Sequence, residues 1–327
     1  MKLGVVKQAA RPMAKLTTPI ALVFPGQGVQ QPGMGRKLFE RYAAAREVFE
    51  RAEAALAMPL RRLCFEGPAE ELNRTSNLQP AVLTACWAAT EVYREAYGAT
   101  GVQVTAGHSL GEFAALAAAG ALTWEEALHI VRERGRFMES AASEQPGAML
   151  AVVGLPEEEI NRLRSSVAQV GPLWVANRNS EVQFVLSGTR EAVARAEQLA
   201  LQRGARRALV LAIPLAAHSP LMEKASSGFQ QLLERLPLRP PRIPVLGNAA
   251  GEALATVDGL RDELVQHLLR PVDWARTMVS MQLLRVRTVV ELGPGRVLAS
   301  LAAKHMPGVE TWNADELFVE LAPAGAP

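Results

Sequence analysis

The stretch Val104-Thr-Ala-Gly-His-Ser-Leu-Gly-Glu-Phe113 leaves this chain the fewest options, because an apolar approach breaks at Gly107-His-Ser-Leu-Gly111 and an alanine-rich run follows at once. The pattern reads as strand, sharp turn and helix. A G-x-S-x-G turn of this kind strains and exposes its central serine, and the flanking glycines let neighbouring backbone close around it. Ser109 is therefore the candidate nucleophile, and a purely structural turn is the alternative. Either way, a buried strand feeding a helix points to an α/β fold.

The 327 residues exceed the usual size of one domain, so a large domain with a smaller one inserted or appended is expected. The 35 basic and 33 acidic side chains nearly cancel, and neither composition nor charge points to nucleic acid or a membrane surface. No segment has the length of an uninterrupted apolar span. The two cysteines, Cys64 and Cys86, lie far apart without metal-ligand spacing, which suits a reducing, cytoplasmic setting and no bound metal. Residues 1–18 carry Lys2, Lys7, Arg11 and Lys15 without an acid. A disordered extension, or a start at Met13, explains them more simply than a transit peptide.

Ile20-Ala-Leu-Val-Phe24 reads as a short buried strand running into Pro25-Gly-Gln-Gly-Val-Gln30. That loop is a tight turn or an oxyanion contributor. Helical periodicity follows over residues 36–57 and 78–97, with Gln79-Pro80 opening the second segment as a helix start. Thr123-Trp-Glu-Glu126 has capping-box spacing and begins a helix expected to reach about Ala142. Trp124, Ala127, Val131 and Met138 define its apolar face. At about 100° per residue, Arg134 falls near the centre of that face, and an arginine directed inward needs a partner. A structural salt bridge and substrate binding both satisfy that need.

From Ala148 to Leu211 the order is β-α-β-β-α-β, with strands near 149–153, 173–176, 183–186 and 207–211 and helices near 156–167 and 189–203. Asn177 and Asn179 fall between two of these strands, as loop punctuation or as lining of an interdomain cleft; punctuation is the simpler reading. Of five histidines, His108 adjoins the serine but should point elsewhere, His129 falls on a solvent face, and His267 and His305 lie near helix ends. By elimination His218, in Leu215-Ala-Ala-His218, is the base for Ser109. No acid has an obvious orienting role, so a Ser-His dyad positioned by a carbonyl is expected. Val289-Val-Glu-Leu-Gly-Pro-Gly-Arg-Val-Leu298 reads as strand, glycine turn and helix.

Together these pieces resemble the malonyl-CoA:acyl-carrier-protein transacylase family, which includes the acyltransferase domains of polyketide synthases. The resemblance spans about residues 20–305. It rests on Phe24-Pro-Gly-Gln-Gly28, Gln79-Pro80, Gly107-His-Ser-Leu-Gly-Glu112, Arg134-Gly135, Asn177-x-Asn179-Ser180, His218 and Glu291-x-Gly-Pro-Gly295, in the family's order. It implies an α/β-hydrolase-like large domain with a parallel sheet (residues 19–146 and 213–310) and an inserted ferredoxin-like subdomain (147–212). A tail follows over 311–327.

The resemblance further implies that Ser109 attacks the acyl thioester, His218 shuttles the proton, and backbone N–H groups of Gln27 and Leu110 form the oxyanion hole. Arg134 would grip the malonyl carboxylate, with Gln79 and Asn179 as further substrate-binding residues. The carbonyl that orients the base would come from near His267, where the family commonly has glutamine. The implied reaction is ping-pong transfer from malonyl-CoA to the phosphopantetheine thiol of a holo acyl carrier protein, for fatty acid or polyketide synthesis. The coenzyme A thioester is then a substrate, no cofactor is held, and a monomer is expected. A general serine hydrolase, a proofreading acyl hydrolase of similar fold and a non-catalytic docking module are the rivals. Leu215-Ala-Ala-His218 matches neither familiar acyl-selecting pattern of polyketide domains, malonyl being the expected acyl group. Arg203, Arg206 and Arg207 are weak candidates for meeting the acidic carrier.

Overall fold

In the computed structural model, which describes residues 15–319, the chain opens on β1 (Ile20–Phe24). Ile20, Leu22 and Phe24 face one apolar cluster and Ala21 and Val23 another, so β1 is buried on both sides as a central parallel strand should be. Helices α1 (Arg36–Arg41), α2 (Ala43–Leu56), α3 (Leu60–Phe65), α4 (Ala69–Leu72) and α5 (Thr75–Tyr97) lead to β2 (Val102–Gly107) and α6 (Gly111–Ala118). The single helix expected over 36–57 is thus broken at Tyr42, whose backbone is extended. The cause is tertiary: the Tyr42 hydroxyl donates to the Phe318 carbonyl at 2.8 Å and its ring meets Phe318 edge-on. Helix α5 starts three residues before Leu78, so Pro80 sits inside it rather than at its mouth.

Helix α7 (Trp124–Glu144) begins with the expected capping box, Thr123 and Glu126 satisfying each other's backbone N–H groups. Next come β3 (Gly147–Val153), α8 (Glu157–Val167), β4 (Leu173–Ser180), β5 (Gln183–Thr189), α9 (Arg190–Gln202) and β6 (Arg207–Val210). A 3₁₀ turn at Pro220–Met222 precedes α10 (Glu223–Glu234), β7 (Val245–Leu246), β8 (Ala253–Leu254), α11 (Val257–Val265), β9 (Val272–Asp273) and α12 (Trp274–Leu283). The chain then runs through β10 (Thr288–Glu291), α13 (Val297–His305), β11 (Glu310–Asn313) and α14 (Ala314–Val319).

The architecture is mixed α/β with two sheets. The first has order β11-β10-β1-β2-β7-β8, parallel except for the last pair. The second has order β6-β3-β5-β4-β9; its first four strands are antiparallel, and β9 joins in parallel from the segment beyond the second sheet's own run. Leu150, Val152, Phe184 and Leu186 pack there against Ile160, Leu163 and Val193 of α8 and α9.

Two expected boundaries shift. Strand β11 pairs along its whole length with β10, so residues 311–313 complete the first sheet and 314–319 follow as α14 rather than forming a tail. At the other end Leu16 packs against the core and the Thr17 carbonyl accepts from Thr288, while residues 1–14 and 320–327 lie outside the described part. Among the described residues no helix is long and apolar enough to cross a membrane.

Candidate active site

Strands β1 and β2 are neighbours, and their register pairs Phe24 with Gly107. The loop after β1 and the turn after β2 therefore meet at the carboxyl edge of the sheet, where α/β folds place their ligands. His108 N–H donates to the Phe24 carbonyl at 2.9 Å and pins the two together. Glycine is obligatory on both sides of the turn, since a Cβ on Gly107 would collide with the Gly111 backbone and one on Gly111 with the Phe24 carbonyl. Ser109 itself has φ of 49°, a left-handed conformation that costs a non-glycine residue roughly 1–2 kcal/mol. Asn248, just beyond β7, holds it there: its Oδ1 accepts from Ser109 N–H at 2.7 Å and its Nδ2 donates to the Gly107 carbonyl at 3.0 Å.

Ser109 Oγ lies 2.8 Å from His218 Nε2, and His218 Nδ1 lies 2.9 Å from the Arg270 carbonyl. A carbonyl only accepts, so Nδ1 carries the hydrogen and Nε2 presents its lone pair to the serine. Burial drives the His218 pKa well below its ordinary 6.5, reinforced by coupling to His267, by the Arg134 charge and by His108, and opposed by the Arg270 bond. The base is neutral and ready to accept a proton. The orienting carbonyl thus belongs to Arg270, not to His267 as expected. After α11 the chain turns back through the Arg270 N–H to Gln266 bond, which carries the carbonyl before Pro271 up to His218. His267 instead inserts its side chain beneath Ser109, with Nε2 3.2 Å from the Ser109 carbonyl.

Arg134 is fully buried, at 0 % exposure. Gly135 makes this possible, because a Cβ there would lie 2.6 Å from the Thr75 carbonyl, and its absence lets α7 close onto α5. Arg134 Nη1 donates to Gln79 Oε1 at 2.9 Å and Nη2 to Ser109 Oγ at 3.2 Å, with His267 Nδ1 3.3 Å from the same Nη2. Its Nε has no hydrogen-bond partner, and among the described residues the guanidinium forms no ion pair. Burial lowers its pKa to about 9, with Glu112 opposing. Burial also raises the Glu112 carboxyl to about 8, so the nearest acid holds its proton at neutral pH. A buried cation with neutral neighbours, beside a nucleophile, is poised to receive an anion. The salt-bridge reading of Arg134 finds no ion-paired carboxylate among the described residues, Glu112 being held protonated.

Gln79 is placed on Arg134 and, through Nε2, on the Met138 sulfur at 3.3 Å. A cleft of about 200 Å³ opens over Ser109 and His218 and is also lined by Gln27, Asn177, Asn179 and Ala217. Both asparagines belong to β4 itself, so they line the cleft rather than punctuate a loop. Asn179 Oδ1 takes a hydrogen bond from His108 Nε2 at 2.9 Å, which brings His108 to the cleft wall as well. Leu110 is buried at the start of α6. A larger cavity of about 710 Å³ adjoins across Leu211 and Ile213 but contains neither Ser109, His218 nor Arg134.

Residues 21–307 match the acyl transferase domain family. A malonyl CoA-acyl carrier protein transacylase of Bacillus subtilis (strain 168) is 39% identical over 286 residues, 87% of this chain and 90% of the relative. One from Escherichia coli (strain K12) is 37% identical, covering 94% of this chain and 99% of its own. The chain belongs to the malonyl-CoA:acyl-carrier-protein transacylase family. The family member from Coxiella burnetii superposes with a TM-score of 0.87 at 36% identity, over 93% of this chain and 97% of that one. So does a malonyl-transacylase solved with a type II polyketide synthase acyl-carrier protein, at 35% identity, 93% and 99% coverage and a TM-score of 0.87.

Three contributors to this transacylase site escape sequence reasoning. Asn248 follows a strand only two residues long, too short to read as one. The Arg270 carbonyl is backbone chemistry that any residue supplies. Glu112 was visible within the Ser109 motif, but its burial against His267 Nε2, at 3.0 Å, depends on α11 folding over it. Of the arginines proposed for the carrier, Arg203 is already engaged with Glu159 and Ser166.

Proposed function

We infer that the chain transfers a malonyl group from malonyl-CoA to the phosphopantetheine thiol of an acyl carrier protein through an ester on Ser109. The observation that carries this reading is Arg134, a buried guanidinium 3.2 Å from the nucleophile and without an ion pair among the described residues. A plain serine hydrolase gains nothing from such a group. An acyl thioester ending in a carboxylate does, through a bidentate pair.

His218 Nε2 takes the Ser109 proton as Oγ attacks the thioester carbonyl. The oxyanion is received by the N–H groups of Gln27 and of Leu110, the latter at the start of α6 where backbone dipoles favour negative charge. Collapse breaks the C–S bond, and the thiolate leaves with the proton from His218. In the second half the carrier thiol gives its proton to His218, attacks the ester and restores Ser109. Asn179 and Gln79 act here as a cleft wall and an arginine holder. Because water competes with the carrier thiol for the same ester, its exclusion separates a transferase from a hydrolase.

We read the first sheet with its helices as an α/β-hydrolase-like large domain and residues 147–212 as a ferredoxin-like insertion, a reading supported by their β-α-β-β-α-β order and the strand order β6-β3-β5-β4. The enzyme acts as a cytoplasmic monomer in fatty acid or polyketide synthesis. Malonyl is the acyl group: of the two small residues before His218, only Ala217 lines the cleft, while Ala216 packs where a Cβ on Gly147 would stand. Turnover of methylmalonyl-CoA at or above the malonyl rate would overturn that choice. The function is tested by intact-mass analysis after malonyl-CoA and then after holo carrier protein. A malonyl adduct on Ser109 that passes to the carrier is expected; release as free acid would make the chain a hydrolase.

A further inference from the structure

The mechanism above gives no work to the His267 side chain, although it is fully buried between Ser109, Glu112 and Arg134. We propose that His267 is a positioning residue that holds Arg134 in the orientation that receives an acyl carboxylate, and so sets the preference for malonyl over acetyl thioesters. This rests on the malonyl-transfer reading.

The geometry fixes the ring's tautomer. A guanidinium can only donate, so at 3.3 Å from Arg134 Nη2 the Nδ1 of His267 must be a bare acceptor. Its hydrogen then sits on Nε2, facing the Ser109 carbonyl at 3.2 Å and Glu112 Oε2 at 3.0 Å. Phe113 meets the ring edge-on with centroids 5.2 Å apart, and His218 lies at 6.1 Å, so the ring is clamped from α6 and from the base. Burial, then the Arg134 charge, hold its pKa well below the ordinary value, which keeps the acceptor free.

With Gln79 on Nη1 and His267 on Nη2, each terminal nitrogen of Arg134 is anchored by a neutral acceptor. Both anchors fix the fork without neutralising it. An acid in place of His267 would hold it equally well and abolish its attraction for a substrate carboxylate. A glutamine at this position would offer the same pair of functions, a carbonyl for Arg134 and an amide N–H for the Ser109 carbonyl.

The test is steady-state transfer from malonyl-CoA and acetyl-CoA by the wild type, H267Q, H267N and H267L. H267L is expected to raise the malonyl KM by about tenfold or more, the worth of one hydrogen bond to a charged group, and to lower malonyl-over-acetyl selectivity by a similar factor. H267Q should stay within about threefold of wild type on both counts, since it keeps both hydrogen bonds. H267N, one methylene too short to span Arg134 and Ser109, should resemble H267L and serves in its place should H267L fail to fold. Equal losses on both donors, or an H267Q as impaired as H267N, would make His267 merely structural and overturn the proposal. If the wild type forms malonyl-Ser109 while every variant keeps its selectivity, only the proposal falls; if the wild type forms no adduct, the functional reading falls with it.

Discussion

Arg134 and His218 do their work through opposite electrostatic states, and both states come from burial. Arg134 stays charged without an ion pair among the described residues, so Arg134→Ala should cut kcat/KM for malonyl-CoA by roughly a hundredfold or more, the scale of losing a charge-assisted bidentate pair, while sparing or improving acetyl transfer. Equal losses on both substrates would mark it as structural. His218 stays neutral because its pKa is depressed, so its capacity as a base is retained at neutral pH and lost only as pH falls well below 6.5. A pH profile of kcat/KM whose acid limb falls at or above 6.5 would contradict that arrangement. Asn248 ties Ser109 and Gly107 through two buried hydrogen bonds, and Asn248→Ala leaves both orphaned. A loss of about 2–6 kcal/mol in denaturant unfolding is expected, from roughly 1–3 per unsatisfied buried group, together with a fall in kcat.

Helix α7 shows how far local rules reach at the scale of elements. Its cap, its length and its inward arginine are all written in 21 residues, since 3.6-residue periodicity alone sends Arg134 to the side of Ala127, Val131 and Met138. Helices α1 and α2 show where those rules stop, because what separates them is the bond from Tyr42 to Phe318, 276 residues away. Likewise the two-residue β9 exists only because β4 offers it an edge. The α5–α7 contact is where an element-scale change reaches the chemistry. Gly135→Ala forces a methyl against the Thr75 carbonyl and pries the helices apart, so malonyl selectivity should fall with stability, by about 1–3 kcal/mol on overpacking precedent. A stable Gly135→Ala enzyme with full malonyl selectivity would show that the close approach does not hold Arg134 in register with Gln79.

Over the whole molecule, burial of titratable groups sets how stability follows pH. Glu112 is raised to about 8 and Glu263 and Glu291 to about 7, in each case chiefly by burial. A carboxyl whose folded pKa lies above its unfolded value favours the fold below about 4.5 and loses that contribution as pH rises through the folded pKa. The depressed histidines, His108, His218, His267 and His305, act in the opposite sense, but only as pH falls below 6.5. Between pH 6.5 and 8.5 the acids act alone, so urea midpoints should fall across that window and Glu263→Gln should flatten the decline. A wild-type profile that is flat or rising there would show that these carboxyls are not held protonated.

By itself the sequence determined the parts whose information is local. Backbone strain demanded glycines around Ser109, periodicity turned Arg134 inward, and elimination among five histidines left His218. Tertiary structure decided what depends on chain segments distant in sequence. It chose Arg270 over His267 as the source of the orienting carbonyl, brought Asn248 under the nucleophile, moved Asn177 and Asn179 from punctuation to cleft wall, and carried the sheet on past residue 310. The physical reason is the same in each case. A carbonyl, an amide or an edge strand has no periodic signature of its own, and acquires a role only when folding removes water and leaves one partner within reach.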